Sequence, residues 1–409
     1  MKNNEIIGVR DVSVSYEISS KTTLTGKGYF KAVNDVDISL EYNDSLSIVG
    51  ESGSGKTTLA LAIIGLLEIS KGSILYNFSD LTTEVRADKK ATRRNLKGMW
   101  KRTSIVFQDP YSSLDNKMIV RDIIAEPYLG HKLGRREEIY DKIGDMITSV
   151  GLKKEHLDYL PDQLSGGLRQ RVAIARSLVN EPELIIFDEP TSSLDVSVQA
   201  QILNLIMDIK RKTGLTYIFI THNLALARHI SNKIVVMYLG SVMESGTTTE
   251  VYENPLHPYT KLLLSSILTP EEGSKIDALS VSSESYGENT RGCVFHNRCT
   301  VSTEYCGWTP KEVIESIRSE TFAKTGDDKI NFEILNDNSF IIKDETPSRL
   351  AEIKLVISEI SGKKRYKTIQ ETDNGLRIEL QEPWKPLSIK LNGGRTVKCM
   401  LYDRGYSEK

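Results

Sequence analysis

Gly50-Glu51-Ser52-Gly53-Ser54-Gly55-Lys56-Thr57-Thr58 decides how the rest of this 409-residue chain is read. The stretch satisfies the spacing G-x-x-x-x-G-K-[ST], and the residues on either side satisfy the context that spacing requires. Ahead of it, Ser45-Leu46-Ser47-Ile48-Val49 is predicted to be a short strand. Behind it, Leu59-Ala60-Leu61-Ala62-Ile63-Ile64 is predicted to be a helix apolar on nearly every side, and such a helix must be buried. Its first turn then faces inward with free backbone N–H groups, and the positive end of its dipole favours an anion. The glycines let the backbone curl around a triphosphate without a Cβ in the way. Lys56 can reach the β- and γ-phosphates, and the Thr57 hydroxyl is placed to ligate Mg²⁺. Strand, loop and helix in this order imply that the chain binds a nucleoside triphosphate.

Composition sets the bounds. The length allows two or three domains, and 39% hydrophobic with 26% charged residues is ordinary for a globular protein. A formal charge of −2 gives no hint of a polyanionic partner such as nucleic acid. Residues Met1 to Arg10 lack the apolar core of a signal peptide, and no apolar run nears the roughly 18 residues of a membrane span. Any contact with a membrane is therefore expected to pass through a partner. Four cysteines, three of them clustered late, are unlike a secreted disulfide framework and suit a metal site in a reducing cytoplasm.

Residues 6 to 16 alternate like a strand, and Val36-Asp37-Ile38-Ser39-Leu40 forms a second, with a polar loop from Glu17 to about Lys31 between them. Tyr16, at the strand end, could stack on an adenine face; Tyr29 and Phe30 compete for that role. Glu84 to Arg102 is dense in Arg and Lys with interspersed acids and reads as a solvated helix or arm. The strand Ile105-Val106-Phe107 delivers Gln108-Asp109-Pro110, where Gln108 can ligate or sense Mg²⁺. Helices are predicted over Met118–Ala125, Arg135–Val150 and Arg169–Val179. The last opens with Leu164-Ser165-Gly166-Gly167-Leu168-Arg169-Gln170-Arg171, in which Ser165 is a natural N-cap and the glycines keep the first turn bare. That makes a second anion seat with no lysine of its own, suited to completing another subunit's site.

Leu184-Ile185-Ile186-Phe187 is a continuous apolar strand of the kind found inside parallel sheets. It ends at Asp188-Glu189-Pro190, and open α/β sheets place their ligands beyond the carboxyl ends of strands. Asp188 would hold the Mg²⁺ shell, and Glu189 would orient or deprotonate the attacking water. Asp195, in the turn from Thr191, could contact a partner across a dimer interface. Strand Tyr217–Ile220 delivers Thr221-His222-Asn223, where His222 would contact the γ-phosphate and hold Glu189 and water in register. Strand Lys233–Leu239, a hairpin through Gly240, and a capping box at Thr247-x-x-Glu250 follow.

In this company the chain resembles the ATPase subunits of ABC transporters. The matching stretches are GESGSGKTT at Gly50–Thr58, FQDP at Phe107–Pro110, LSGG at Leu164–Gly167, IIFDEP at Ile185–Pro190, SLD at Ser193–Asp195 and THN at Thr221–Asn223. The resemblance covers roughly residues 1 to 268. It implies an α/β nucleotide-binding domain with a RecA-like phosphate-loop core, a helical subdomain at about 109–180 and an antiparallel β subdomain. It implies a head-to-tail dimer with two ATPs held between the phosphate loop of one subunit and the LSGG helix of the other. By this likeness Tyr16, Gly50 to Thr58, Gln108, Ser165, Gly166, Gly167, Gln170, Asp188 and Asp195 surround nucleotide, and Glu189, His222 and Gln108 serve hydrolysis. Thr57, Gln108 and Asp188 serve Mg²⁺.

The stretches SVQAQILNL at Ser197–Leu205, MYLG at Met237–Gly240 and NPLHPYTKLLLSSI at Asn254–Ile267 narrow the likeness to the oligopeptide/dipeptide importers. Tyr111 and Glu126-Pro127 look more like the second of the two ATPase subunits in that group. Leu168 stands where many members have Gln or Met. The implied partners are a second, different ATPase subunit, two membrane permeases and an extracellular solute-binding protein, which places the chain at the cytoplasmic face of the membrane. Oligosaccharide or nickel transport is the alternative within the group. A soluble ABC-type ATPase acting on ribosomes or nucleic acid is the alternative outside it, although those proteins usually carry two cassettes in one chain.

After a polar linker, about Thr269 to Arg291, come Cys293-x5-Cys299-x6-Cys306, with Cys399 far downstream. Four thiolates suit an iron–sulfur cluster or tetrahedral zinc, and the spacing lacks the close pairs of zinc ribbons. The segment resembles the C-terminal part of the oligopeptide importers, GC-x-F-x-x-RC with two further cysteines, and some of those carry a [4Fe-4S] cluster. Residues 292–409 are expected to form a small cysteine-ligated α+β domain. Between Cys306 and Cys399 a helix starts at Thr309-Pro310 and runs to about Lys324. Asp373-Asn374-Gly375 and Asn392-Gly393-Gly394 punctuate hairpins of a β-rich module that returns Cys399 to the other three.

Overall fold

Alternating Val and Ile residues bury one face of two long strands, β1 (Glu5–Ser19) and β2 (Lys27–Glu41), which pair antiparallel. Ile7, Val9, Val12, Val14, Val33, Val36 and Leu40 are all within the core. In the computed structural model the described residues are 4–19, 27–89, 93–268, 291–326, 330–343, 347–359, 365–372, 375–384 and 388–403. They fall into two compact units, Met1–Pro255 with Leu263–Pro270, and Leu256–Leu262 with Glu271–Lys409. Most of the expected linker from Thr269 lies outside the described residues.

The first unit carries two sheets. β4 (Lys71–Phe78) and β5 (Leu81–Arg86) complete an antiparallel sheet of order β2-β1-β4-β5. β4 was not anticipated, although Ile74, Tyr76 and Phe78 bury at the period-2 spacing of a half-buried strand. The second sheet contains β3 (Ser45–Val49), β6 (Thr103–Val106), β7 (Leu184–Asp188), β8 (Thr216–Thr221) and β9 (Lys233–Tyr238), all parallel where they pair. β10 (Ser241–Thr247) returns antiparallel on β9. The order in this unit is β10-β9-β3-β8-β7-β6. β3, β7 and β8 are buried along their whole length, which is why Leu184–Phe187 and Tyr217–Ile220 read as apolar runs.

Parallel register sets the functional edge. Val49 lies opposite Thr221, Asp188 opposite Ile220, and Val106 opposite Phe187. The segments that leave β3, β6, β7 and β8 therefore emerge side by side at one end of the sheet. α1 (Lys56–Ile63) follows β3 directly. α2 (Arg93–Trp100) precedes β6; here the basic segment is less solvated than expected, because Met99 is fully buried and the Trp100 indole donates to Ile64 O at 2.8 Å.

Between β6 and β7 lie α3 (Pro110–Ser113), α4 (Val120–Gly130), α5 (Arg136–Met146) and α6 (Gly166–Leu178). Ile123, Ile124, Ile139, Ile143, Val172 and Ile174 are fully or almost fully buried in a cluster with Phe187 and Phe219, so this helical layer shares its core with the parallel sheet. The predicted helix to Val150 tightens into a 3₁₀ turn from Ile147. α7 (Val196–Thr213), α8 (Leu224–Ile230), α9 (Thr248–Glu253) and α10 (Pro258–Leu268) complete the helices before the linker. The Thr247–Glu250 capping box forms as expected.

The second unit is α+β. α11 (Pro310–Thr325) begins with Pro at its first position and a Thr309–Glu312 capping box. β11 (Asn331–Asn336), β12 (Ser339–Lys343), β13 (Thr368–Thr372) and β14 (Gly375–Glu379) form an antiparallel sheet of order β11-β12-β14-β13. α12 (Pro347–Glu359), which was not anticipated, supplies Ile353, Val356 and Ile357 to a core with Trp308, Ile317, Phe340, Ile342 and Ile378. Strands β13 and β14 flank the expected hairpin, whose Asp373 and Asn374 lie outside the described residues. A short pair, β15 (Ile389–Lys390) and β16 (Thr396–Val397), brackets Asn392–Gly394.

Candidate nucleotide site and cysteine cluster

The loop between β3 and α1 is held by contacts that need glycine. Gly55 caps α1 in a left-handed conformation, φ 96°, and a Cβ there would lie 2.3 Å from Ala32 O. Lys56, the first helical residue, is buried, and its Nζ donates to Gly50 O and Glu51 O at 2.9 Å and to Ser54 Oγ at 3.4 Å. Glu189 Oε1 stands 4.0 Å away. Burial holds the Lys56 ammonium below its ordinary pKa, and the charges of Glu189, Asp188 and Glu51 offset part of that shift.

Thr57 Oγ1 donates to Asp188 Oδ1 at 3.1 Å. Asp188 is buried at the end of β7, and burial raises its carboxyl; the Thr57 hydrogen bond opposes this, the Glu189 charge adds to it, and Lys56 opposes it. A buried carboxyl whose charged form is disfavoured by burial gains from a nearby cation, and a hydroxyl stands beside it, so the pair fits Mg²⁺.

Glu189 follows with φ 44°, a left-handed conformation that costs a non-glycine residue about 1–3 kcal/mol. Its backbone N–H donates to Ile220 O at 3.1 Å, which ties the strained residue to β8. Its Oε2 meets Gln108 Nε2 at 3.4 Å and His222 Nδ1 at 3.3 Å. Three strand ends thus converge on one carboxylate. His222 is exposed, whereas Asn223 beside it turns inward to cap α8 through Ala225 N and Leu226 N.

The other expected residues stand apart from this centre. Ser165 is exposed and caps α6, its Oγ accepting from Leu168 N at 3.4 Å. Gly166 and Gly167 form the first turn, where a Cβ on Gly167 would lie 2.6 Å from Val198 Cγ1. Asp195 is exposed and caps α7, its Oδ1 accepting from Val198 N at 2.9 Å and Ser197 Oγ at 2.7 Å. Those bonds hold its carboxyl below the usual range. Gln170, unlike Ser165, is fully buried in α6, and its side-chain amide has no hydrogen-bond partner there. Tyr16 lies directly across from Phe30 on the first sheet, while Tyr29 faces the other side and is more exposed.

In the second unit, Cys293, Cys299, Cys306 and Cys399 line one cavity of about 20 Å³ with His257, His296 and Met400. The loops bearing them are pressed together by glycine: a Cβ on Gly292 would lie 2.4 Å from Cys306 O, and one on Gly307 2.5 Å from Gly292 Cα. Cys293 N–H donates to Cys306 O at 2.9 Å. The four thiols are free of disulfides. Burial first, and then the charges of Cys306, Cys399 and Cys299, push the Cys293 thiol up to about 12. Burial, with Cys299 and Cys306, pushes Cys399 up to about 11. Among the described residues no group of three or more His, Cys, Asp or Glu side chains is arranged to hold a metal ion as it stands.

Sequence reading missed the shell around these thiols. His296 is buried, lies 3.2 Å from Glu312 Oε1 and stands edge-on to Trp308 at 4.7 Å. Burial alone would raise the Glu312 carboxyl, but the hydrogen bond and charge of His296, with the Thr309 backbone and hydroxyl donors, pull it down to about 2. Position 296, three residues from two cysteines, was the available signal. His257, Tyr259 and Thr260 of the HPYT stretch are fully or almost fully buried. Burial brings His257 down to about 4, so it is a neutral core imidazole.

A phosphate loop, a buried Asp bonded to a Thr, and a carboxylate shared by three strand ends define a nucleotide-hydrolysing arrangement. Residues 33–192 match the family described as ABC transporter, and residues 243–306 match the oligopeptide/dipeptide transporter C-terminal region. The chain is 41% identical over 306 residues to the oligopeptide transport ATP-binding protein AppF of Bacillus subtilis, covering 74% of this chain and 91% of that one. It is 40% identical over 303 residues to the di/tripeptide transport ATP-binding protein DppF of Pseudomonas aeruginosa, with the same coverages. Among solved structures, a dimeric bacterial ABC transporter cassette matches with TM-score 0.50 at 26% identity, covering 59% of this chain and 98% of that one. A subunit of the cbiONQ ABC transporter complex of Clostridium perfringens matches with TM-score 0.51 at 26% identity, covering 62% and 92%. This chain belongs to the ATP-binding subunits of the oligopeptide/dipeptide ABC transporters.

Proposed function

We propose that the chain hydrolyses ATP to energise import of peptides, with Glu189 acting on the attacking water. The observation that carries this reading is the Glu189 carboxylate, held by Gln108 and His222 within 4.0 Å of Lys56. The free N–H groups at the start of α1 and the Lys56 ammonium bind the triphosphate; Thr57 and Asp188 would hold Mg²⁺, which supplies charge neutralisation at the phosphates. His222 and Gln108 fix the direction in which Glu189 presents its oxygens, so water is oriented and a proton accepted without reorganising the site. The names of the relatives, which concern oligopeptides and di/tripeptides, favour peptides over oligosaccharides or nickel. The same similarity, running through three quarters of the chain, disfavours action on ribosomes or nucleic acid.

The bare α6 start at Ser165–Gly167 is suited to a partner's ATP, and the dimeric solved relative supports a pair of cassettes closing head to tail. A different ATPase chain as that partner, two permeases and an extracellular receptor complete the assembly. Among the described residues no helix is long and apolar enough to cross a membrane, so the chain reaches the cytoplasmic face of the membrane through its permeases. An apolar cavity of about 330 Å³, lined by Leu66, Trp100, Phe107, Pro127 and His131, is the surface we assign to a permease segment. Ser113 Oγ and Asn180 Oδ1 on its wall are buried without hydrogen-bond partners, and Lys97 and Lys101 lie close enough to His131 to depress its pKa, after burial. An acidic helix end from the permease would match both features.

The four thiols fit a bound cation or cluster on their chemistry. Two of them are held protonated by burial and mutual repulsion, a strain that a metal relieves. We assign them a [4Fe-4S] cluster, with zinc as the alternative; the small cavity requires the side chains to turn outward for the larger group. ATP-driven uptake of a labelled oligopeptide by vesicles carrying the whole transporter tests the functional reading. Uptake of nickel or oligosaccharide but not peptide would overturn the substrate assignment.

A further inference from the structure

Gln108 touches Glu189, and only three residues later Tyr111 touches the helix that begins with the second anion seat. The path between them is rigid. Pro110 starts α3, and Asp109 caps it by accepting from Tyr111 N at 2.8 Å, so the direction of the Tyr111 side chain is fixed by the same turn that leaves Gln108. The Tyr111 ring lies against the guanidinium of Arg169, 4.2 Å from its centroid. Arg169 is almost fully buried; its Nε donates to Leu164 O at 3.2 Å and its Nη2 to Asp162 Oδ1 at 3.3 Å. The guanidinium therefore clasps the residues on either side of Gln163, immediately before the Ser165 cap. A Cβ built on Gly166 would lie 3.4 Å from the Tyr111 hydroxyl, so the phenol edge flanks the first residue of α6. About two turns further along α6, Arg176 Nη1 donates to Ser113 O at 2.9 Å, a second tie from α3 to the same helix.

We propose that Tyr111 is a positioning residue that couples the Gln108–Glu189 contact to the orientation of the Ser165–Gly167 seat, through its stack on Arg169. A cation–π stack on a buried guanidinium is sensitive to ring position, and bonds to Leu164 and Asp162 tether the same guanidinium to the segment before the Ser165 cap. A shift of Gln108 when nucleotide reaches Glu189 thus moves the backbone at Leu164 and with it the seat offered to the partner. The ring is half exposed, so it is not a core-filling side chain.

The inference rests on the reading of Ser165–Gly167 as the seat for the partner's ATP. The test uses the assembled transporter with Tyr111→Leu, Tyr111→Phe and Ser165→Arg made in this chain. Tyr111→Leu is expected to lower kcat about tenfold with the ATP dissociation constant of the isolated full chain unchanged, while Tyr111→Phe stays within about twofold of wild type because it keeps the ring. Ser165→Arg is expected to abolish stimulated hydrolysis. Unchanged kcat in Tyr111→Leu, with Ser165→Arg inactive, overturns the coupling role alone. Full activity in Ser165→Arg overturns the seat reading beneath it. Loss of ATP affinity or of thermal stability in Tyr111→Leu that matches its loss of kcat shows a merely structural residue and also overturns the proposal.

Discussion

Lys56 Nζ and Glu189 Oε1 stand 4.0 Å apart across the end of the parallel sheet, so the ammonium we assign to phosphate and the carboxylate we assign to water offset each other's charge. The two belong to different strand ends, and parallel register alone brings them together. An incoming triphosphate competes with Glu189 for the ammonium.

Removing that ammonium should weaken nucleotide binding directly. Lys56→Ala deletes charged hydrogen bonds worth roughly 1.5–3 kcal/mol each, an expected rise of about 10- to 100-fold in the ATP dissociation constant. Titration of the full chain with labelled ATP measures it. An unchanged constant contradicts the assignment of Lys56.

The acid stability of the second unit should follow Glu312. Its folded-state pKa, about 2, lies below the ordinary 4.5, so the unfolded chain takes up the proton first. The stabilisation is complete above about pH 4.5 and is lost as pH falls toward 2. Fluorescence of Trp308, which stands edge-on to His296, reports the transition. Glu312→Gln is expected to flatten the pH dependence across this window; an unaltered acid profile contradicts the pairing.

Anaerobically purified protein is expected to show a brown chromophore with iron and sulfide in equal amounts. Cys306→Ser should bleach it, because Cys306 is a buried member of the set. Colourless protein with one zinc per chain contradicts the cluster and favours the tetrahedral alternative. Protein with no metal at all contradicts both.

Leu66 is half exposed on the wall of the apolar cavity, outside the residues that surround the phosphate loop. Leu66→Asp is expected to release the chain from permease-containing membranes at least tenfold, as an apolar contact is replaced by a charge opposite an acidic partner. Nucleotide affinity of the free chain should stay within about twofold. Undiminished co-purification with the permeases contradicts the docking surface.

The nucleotide centre was legible because each part is local. Gly50–Thr58, Gln108, Asp188-Glu189 and His222 each sit at the end of an apolar strand, and parallel pairing then has little choice but to gather them. What depends on helix rotation was not legible. Gln170 sits in the same run as Ser165 yet is fully buried, on the stripe that continues one turn later at Ile174. The Tyr111–Arg169 stack joins residues 58 positions apart that no spacing rule connects. In the second unit, Thr309-Pro310 announced α11, but α12, in the stretch expected to be a β-rich module, was not anticipated. The cysteines were found by type; the buried His296–Glu312 pair beside them was not, since a lone histidine carries no period.

Hydrolysis by the assembled transporter carrying Glu189→Gln tests the central claim most directly. The substitution keeps shape and removes the base, so kcat should fall by about 10²–10⁴. ATP should bind as tightly or more tightly, since Lys56 is freed from the carboxylate 4.0 Å away. Near-normal turnover, or a loss of ATP binding equal to the loss of rate, would contradict the account.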